Sequence, residues 1–136
     1  MNSPRRLLVC LGTLFLLTGC GGEKKEFQRL GQVTRIRVVD HTDGNIRPEI
    51  TDPQRIELLV NFFDARRDGW TVPWYGVPVA RVRAEFYDHS LFKGYLGVGI
   101  NFFEGGGSGF WYKPANSTEI QRFLDLVEVP RERIGK

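Results

Sequence analysis

Val79-Ala80-Arg81-Val82-Arg83-Ala84-Glu85-Phe86-Tyr87-Asp88 alternates apolar and polar residues with a period of two. Successive side chains on a strand point to opposite faces, so Val82, Ala84 and Phe86 share one side while Arg81, Arg83, Glu85 and Tyr87 share the other. One side requires a core and the other tolerates water, as in an antiparallel sheet covered on a single face. Downstream, Asp88-His89-Ser90 begins a connection, and residues 95–103 repeat the alternation. There Leu96, Val98, Ile100 and Phe102 oppose Tyr95, Gly97, Gly99 and Asn101. Residues 104–109 read as a Gly-rich hairpin loop, and 110–113 as a short last strand. Upstream, residues 32–40 read as the first strand, with Thr34, Ile36 and Val38 opposite Arg35 and Arg37.

Two helices complete the pattern. Thr51-Asp52-Pro53-Gln54 reads as a start, with Thr51 as cap and Pro53 in the first turn. Ile56, Leu59, Val60 and Phe63 follow at helical spacing, and Gly69 reads as the stop. Asn116-Ser117-Thr118-Glu119 is a second capping signature, followed by Ile120, Phe123, Leu124 and Val127 before Pro130. The expected order is β-α-β-β-β-α, an α+β domain over residues 27–136. Its four-stranded, mostly antiparallel sheet carries both helices on one face and leaves the other face open.

Residues 1–20 have a different character. Arg5 and Arg6 precede the apolar run 7–17, and the small residues Thr18 and Gly19 precede Cys20. This is the form of a secretory signal whose apolar core is too short for a permanent membrane helix. Leu17-Thr18-Gly19-Cys20 resembles the lipobox of bacterial lipoproteins. The resemblance implies cleavage after residue 19, diacylglycerol on the Cys20 thiol, and a membrane partner held through that lipid. It places the protein on the outer side of a cell membrane or outer membrane, and Gly21 in place of Asp favours the latter. Residues 20–26 then form the acylated Cys and a flexible polar tether.

Discarding the signal changes the charge. Removing Arg5 and Arg6 from 19 Lys+Arg leaves 17 against 16 Asp+Glu, a formal charge of +1 rather than +3. Nothing in that balance draws a polyanion, and no nucleic-acid partner is expected. The cysteines are Cys10, lost with the signal, and Cys20, acylated, so the domain holds no disulfide.

Three features carry candidate chemistry. The open face would present Arg35, Arg37, Arg81, Arg83, Tyr87 and Tyr95, with Gly97 and Gly99 leaving room for a ligand against the backbone. The loop containing Trp74 and Tyr75 offers aromatic anchors, whereas Trp70, directly after the helix, is expected to plug the core. The histidines occur as Asp40-His41 and Asp88-His89. If the first helix made a standard crossover, parallel strands would bring both pairs to one edge of the sheet. Ordinary turn chemistry explains the same residues, so no metal ligand and no cofactor is assigned. No nucleophile elbow, Ser-His-Asp set or catalytic Cys is visible. The expected function is a non-enzymatic binding module at the cell envelope, for a protein or an anionic envelope component. The alternatives are an inhibitor or immunity-type lipoprotein acting through Trp74-Tyr75 or the Gly105–Gly109 loop, and a metal-binding envelope protein.

Overall fold

A computed structural model describes residues 24–72, 76, 79–107 and 109–135. Among them the strands are β1 (Lys24–Lys25), β2 (Arg35–Asp40), β3 (Asn45–Ile46), β4 (Trp70–Thr71), β5 (Val82–Asp88), β6 (Leu91–Val98), β7 (Phe102–Gly106) and β8 (Trp111–Pro114). Helix α1 (Pro53–Asp64) lies between β3 and β4, and α2 (Ser117–Val127) follows β8. All eight strands join one antiparallel sheet in the order β1-β4-β8-β7-β6-β5-β2-β3.

The expected four-stranded sheet is therefore wrong: the sheet has eight strands. Three of the additional ones, β1, β3 and β4, are two residues long and too short to show an alternation. The fourth arises because residues 95–103 are not one strand. Gly99 N–H bonds to the Phe102 carbonyl at 3.0 Å, closing a tight turn that ends β6 and starts β7. The turn shifts the parity. Leu96 and Val98 enter the core as expected, but Ile100 is exposed and Phe103, not Phe102, continues the core row.

One apolar cluster joins both helices to a single side of the sheet. Ile36 and Val38 of β2, Val82, Ala84 and Phe86 of β5, and Leu96 and Val98 of β6 meet Ile56, Leu59, Phe62 and Phe63 of α1. From α2 come Ile120, Phe123, Leu124 and Val127. Burying side chains of this size is the main stabilisation available to a chain with no described cross-link, about 1.5–3 kcal/mol for each. Trp70 is fully buried, its indole donating to the Arg66 carbonyl at 2.6 Å, so the expected plug is present.

The caps are local consequences of sequence. Asn116 and Glu119 form a complete capping box at the start of α2. At α1 the cap is Asp52, not Thr51: its carboxylate accepts from Gln54 N–H and Pro53 occupies the first turn. That helix ends at Asp64, before Gly69. Lys24 and Lys25, read as tether, pair with Thr71 and Trp70 as an edge strand, and Glu26 meets Arg67 at 3.3 Å. Among the described residues no helix is long and apolar enough to cross a membrane.

Candidate functional site

The face away from the helices carries polar residues in register across the sheet. Arg37 of β2 lies opposite Glu85 of β5, which lies opposite Tyr95 of β6. Arg37 Nε and Nη2 donate to Glu85 Oε2 at 2.9 and 2.6 Å, and the Tyr87 hydroxyl donates to the same oxygen at 2.9 Å. The neighbouring row is aromatic and cationic. The Arg35 guanidinium lies 4.2 Å over the Tyr87 ring, and Tyr87 meets Phe92 edge-on at 5.5 Å. Arg35 Nε also donates to the His89 carbonyl at 2.9 Å, and the guanidinium pairs with Glu49.

These contacts fix both arginines without hiding them: the side chains of Arg35 and Arg37 remain 30% and 38% exposed. The hydrogen bond to Glu85, and then its charge, hold Arg37 more firmly protonated than usual. Burial, and then the bond to Glu85, raise the Tyr87 hydroxyl above its ordinary value. The result is a preorganised surface of two guanidinium edges and a phenol ring.

Toward β7 the same face is closed. Glu104 is 2% exposed, and its carboxylate is a hub. Oε1 accepts from Arg83 Nη2 at 2.9 Å and from the Tyr95 hydroxyl at 3.0 Å, while Oε2 accepts from Ala80 N–H at 3.0 Å. Arg83 stacks over the Tyr95 ring at 4.3 Å. Burial, and then the adjacent Glu104, push the Tyr95 hydroxyl far above its ordinary value. Ala80, Tyr95 and Phe102 are buried here, outside the cluster shared with the helices.

The glycines explain the closure. A Cβ on Gly97 would sit 2.5 Å from the Cβ of Ala80, so the gap expected to admit a ligand is filled by the chain's own segment entering β5. At Gly99 the space belongs to the Phe102 ring, 2.1 Å from where a Cβ would stand. Gly105 packs against Trp70, so residues 104–106, read as a loop, are instead buried strand. The Gly105–Gly109 plug loses its first two residues to β7.

The residues singled out in the sequence thus separate. Arg35, Arg37 and Tyr87 are brought together on the open half. Arg83 and Tyr95 belong to the closed half. Arg81, the residue before β5, is exposed, with its guanidinium beside Gly135. Cys20 with residues 1–23, and Trp74 with Tyr75, lie outside the described residues.

The proposed meeting of the Asp-His pairs fails because β2 and β5 are antiparallel, with Asp40 opposite Val82 and Arg35 opposite Tyr87. Asp40 and Asp88 therefore sit at opposite ends of the pairing, about 20 Å apart at 3.4 Å per residue. Each does turn work. Asp40 is fully buried and accepts from Thr42 N–H, the Thr42 hydroxyl and Arg47 Nη2. Burial opposes its ionisation, but those bonds prevail and hold the carboxyl below its usual value. Asp88 bonds the His89 ring at 2.8 Å, and His89 N–H donates to the Thr34 hydroxyl. No group of three or more His, Cys, Asp or Glu capable of holding a metal occurs among the described residues.

Glu104 was the residue the sequence concealed, because an acid leading a run of glycines has the composition of a turn. No protein-family model, curated protein or solved structure matches this chain.

Proposed function

We propose that the chain is a non-enzymatic, lipid-anchored binding module of the bacterial envelope that takes its partner on the open half of the second sheet face. The observation carrying this reading is the Arg35–Tyr87–Arg37 surface, ordered by Glu85, Glu49 and the His89 carbonyl yet left in contact with solvent. Paired guanidinium edges beside an aromatic ring suit carboxylates and phosphates, and order before binding lowers the entropic cost of capture. The partner class is an acidic protein surface within reach of a membrane anchored through Cys20. Arg83 is excluded from this role because it is committed to Glu104.

The test is a photo-crosslinking scan in native membranes, with a benzophenone side chain replacing Arg35, Arg37 or Tyr87 and a control replacing the exposed Gln121 of α2. A discrete adduct from the sheet-face positions and none from 121 is the expected outcome. Adducts only from 121, or none from any position, overturn the assignment.

A further inference from the structure

The end of the sheet where the described chain begins exposes apolar side chains among lysines, and it adjoins the Arg35–Tyr87 surface through Phe92, which meets Tyr87 at 5.5 Å. The β5–β6 hairpin carries Leu91 and Phe92, which are 60% and 41% exposed. These two residues line one cleft of ≈ 500 Å³ with Lys25, Arg29 and Lys93. Lys24 precedes Lys25 on the same edge strand. Neither Lys24 nor Lys93 has a carboxylate within salt-bridge distance among the described residues. The acids of this region are engaged elsewhere: Glu26 meets Arg67, and Asp88 bonds His89. Arg29 does meet Asp64 at 4.0 Å and Lys25 lies over the Trp111 ring at 4.7 Å, so among the described residues Lys24 and Lys93 are the cations of this rim left without such a partner. Single exposed apolar residues are ordinary, but two in succession on a hairpin beside two such lysines are a different surface.

We propose that this end, with Leu91 and Phe92 as the apolar wedge and Lys24, Lys25, Arg29 and Lys93 as its cationic rim, docks on an anionic bilayer. It rests on the reading of Cys20 as the lipid anchor. Lys24 lies four positions beyond Cys20, and four fully extended steps of chain span at most about 14 Å. A lipid on Cys20 therefore keeps the β1 edge within that distance of the membrane. Apolar side chains at the acyl boundary with lysines at phosphate level is the arrangement by which peripheral surfaces hold a bilayer. Each lysine near an anionic leaflet changes membrane partition about fivefold.

The test uses the full chain purified from membranes and reconstituted in phosphatidylglycerol vesicles, with a nitroxide at Leu91→Cys and, separately, at Gln121→Cys on α2. The label at 91 is expected at or below phosphate depth, gaining contact with oxygen and losing contact with an aqueous nickel chelate, while the label at 121 stays in water. Lys24→Gln and Lys93→Gln should each lower the ratio of docked to undocked protein about fivefold. A label at 91 as open to the nickel chelate as that at 121 overturns the proposal. So does equal depth in pure phosphatidylcholine with no response to the lysine changes. The intact mass of the same preparation reports the lipid on Cys20 independently. An acylated protein with a solvated hairpin refutes the docking surface alone, and an unacylated protein with a buried label refutes the anchor alone.

Discussion

The two halves of the second sheet face begin from the same alternation and end as different objects. Around Arg37 and Glu85 the ion pair sits at the water's edge. Around Arg83 and Glu104 an equivalent pair has its carboxylate sealed under the chain, 3% exposed, while the guanidinium side chain keeps a partly exposed edge. What separates them is Gly97, whose missing side chain admits Ala80 against the sheet and thereby buries Glu104. A ladder of arginines and acids is thus no indication of a binding surface until it is known which rungs the chain covers itself.

The most forceful way to break this comparison is to remove each acid. Glu104→Ala strands Arg83, the Tyr95 hydroxyl and the Ala80 N–H, and should cost about 3–5 kcal/mol in urea unfolding. Glu85→Ala, on a pair more than a third exposed at Arg37, should cost about 1 kcal/mol or less. Equal losses would mean that the two halves are energetically alike. Gly97→Ala is next: it drives a methyl into Ala80, and the expected loss is about 1–3 kcal/mol by thermal melt. A neutral result would show that the covering segment is held loosely.

The gentlest probe is alkaline pH. Both tyrosines have hydroxyls raised above their ordinary value, so the unfolded chain releases those protons first. Their contribution is fully present below about pH 10 and declines as pH rises above it. Because Tyr95 is the more strongly raised, Tyr95→Phe should flatten the fall in stability above pH 10 more than Tyr87→Phe does. The reverse order would place the drier environment on the wrong half.

Long periodic segments made much of this legible in the sequence. The alternation of β5 identified which residues face the helices, and the apolar spacing of α1 and α2 identified what covers them. Arg35, Arg37 and Tyr87 follow directly from that parity. The turn at Gly99–Asn101 did not show, because Ile100 and Phe102 continue an apparent alternation through it. A one-residue change of parity then exchanged the roles of Phe102 and Phe103. Glu104 was hidden for a related reason: Gly105 and Gly106 serve close packing against Trp70, Trp111 and Phe27, while their composition reads as flexibility. Strand direction was the remaining error, since a helix between β2 and β5 suggested a parallel crossover and the chain instead returns antiparallel.

The brevity of β1 and β3 has one more consequence. An antiparallel sheet with open edges is a template on which another copy can pair, strand against strand. Here both edges are two-residue strands. One is a pair of lysines, and the other runs at once into Arg47 and Pro48, whose ring nitrogen has no hydrogen to donate. Among the described residues neither margin offers a register long enough to recruit a neighbour, so this part of the chain ends its own sheet even where many copies crowd together.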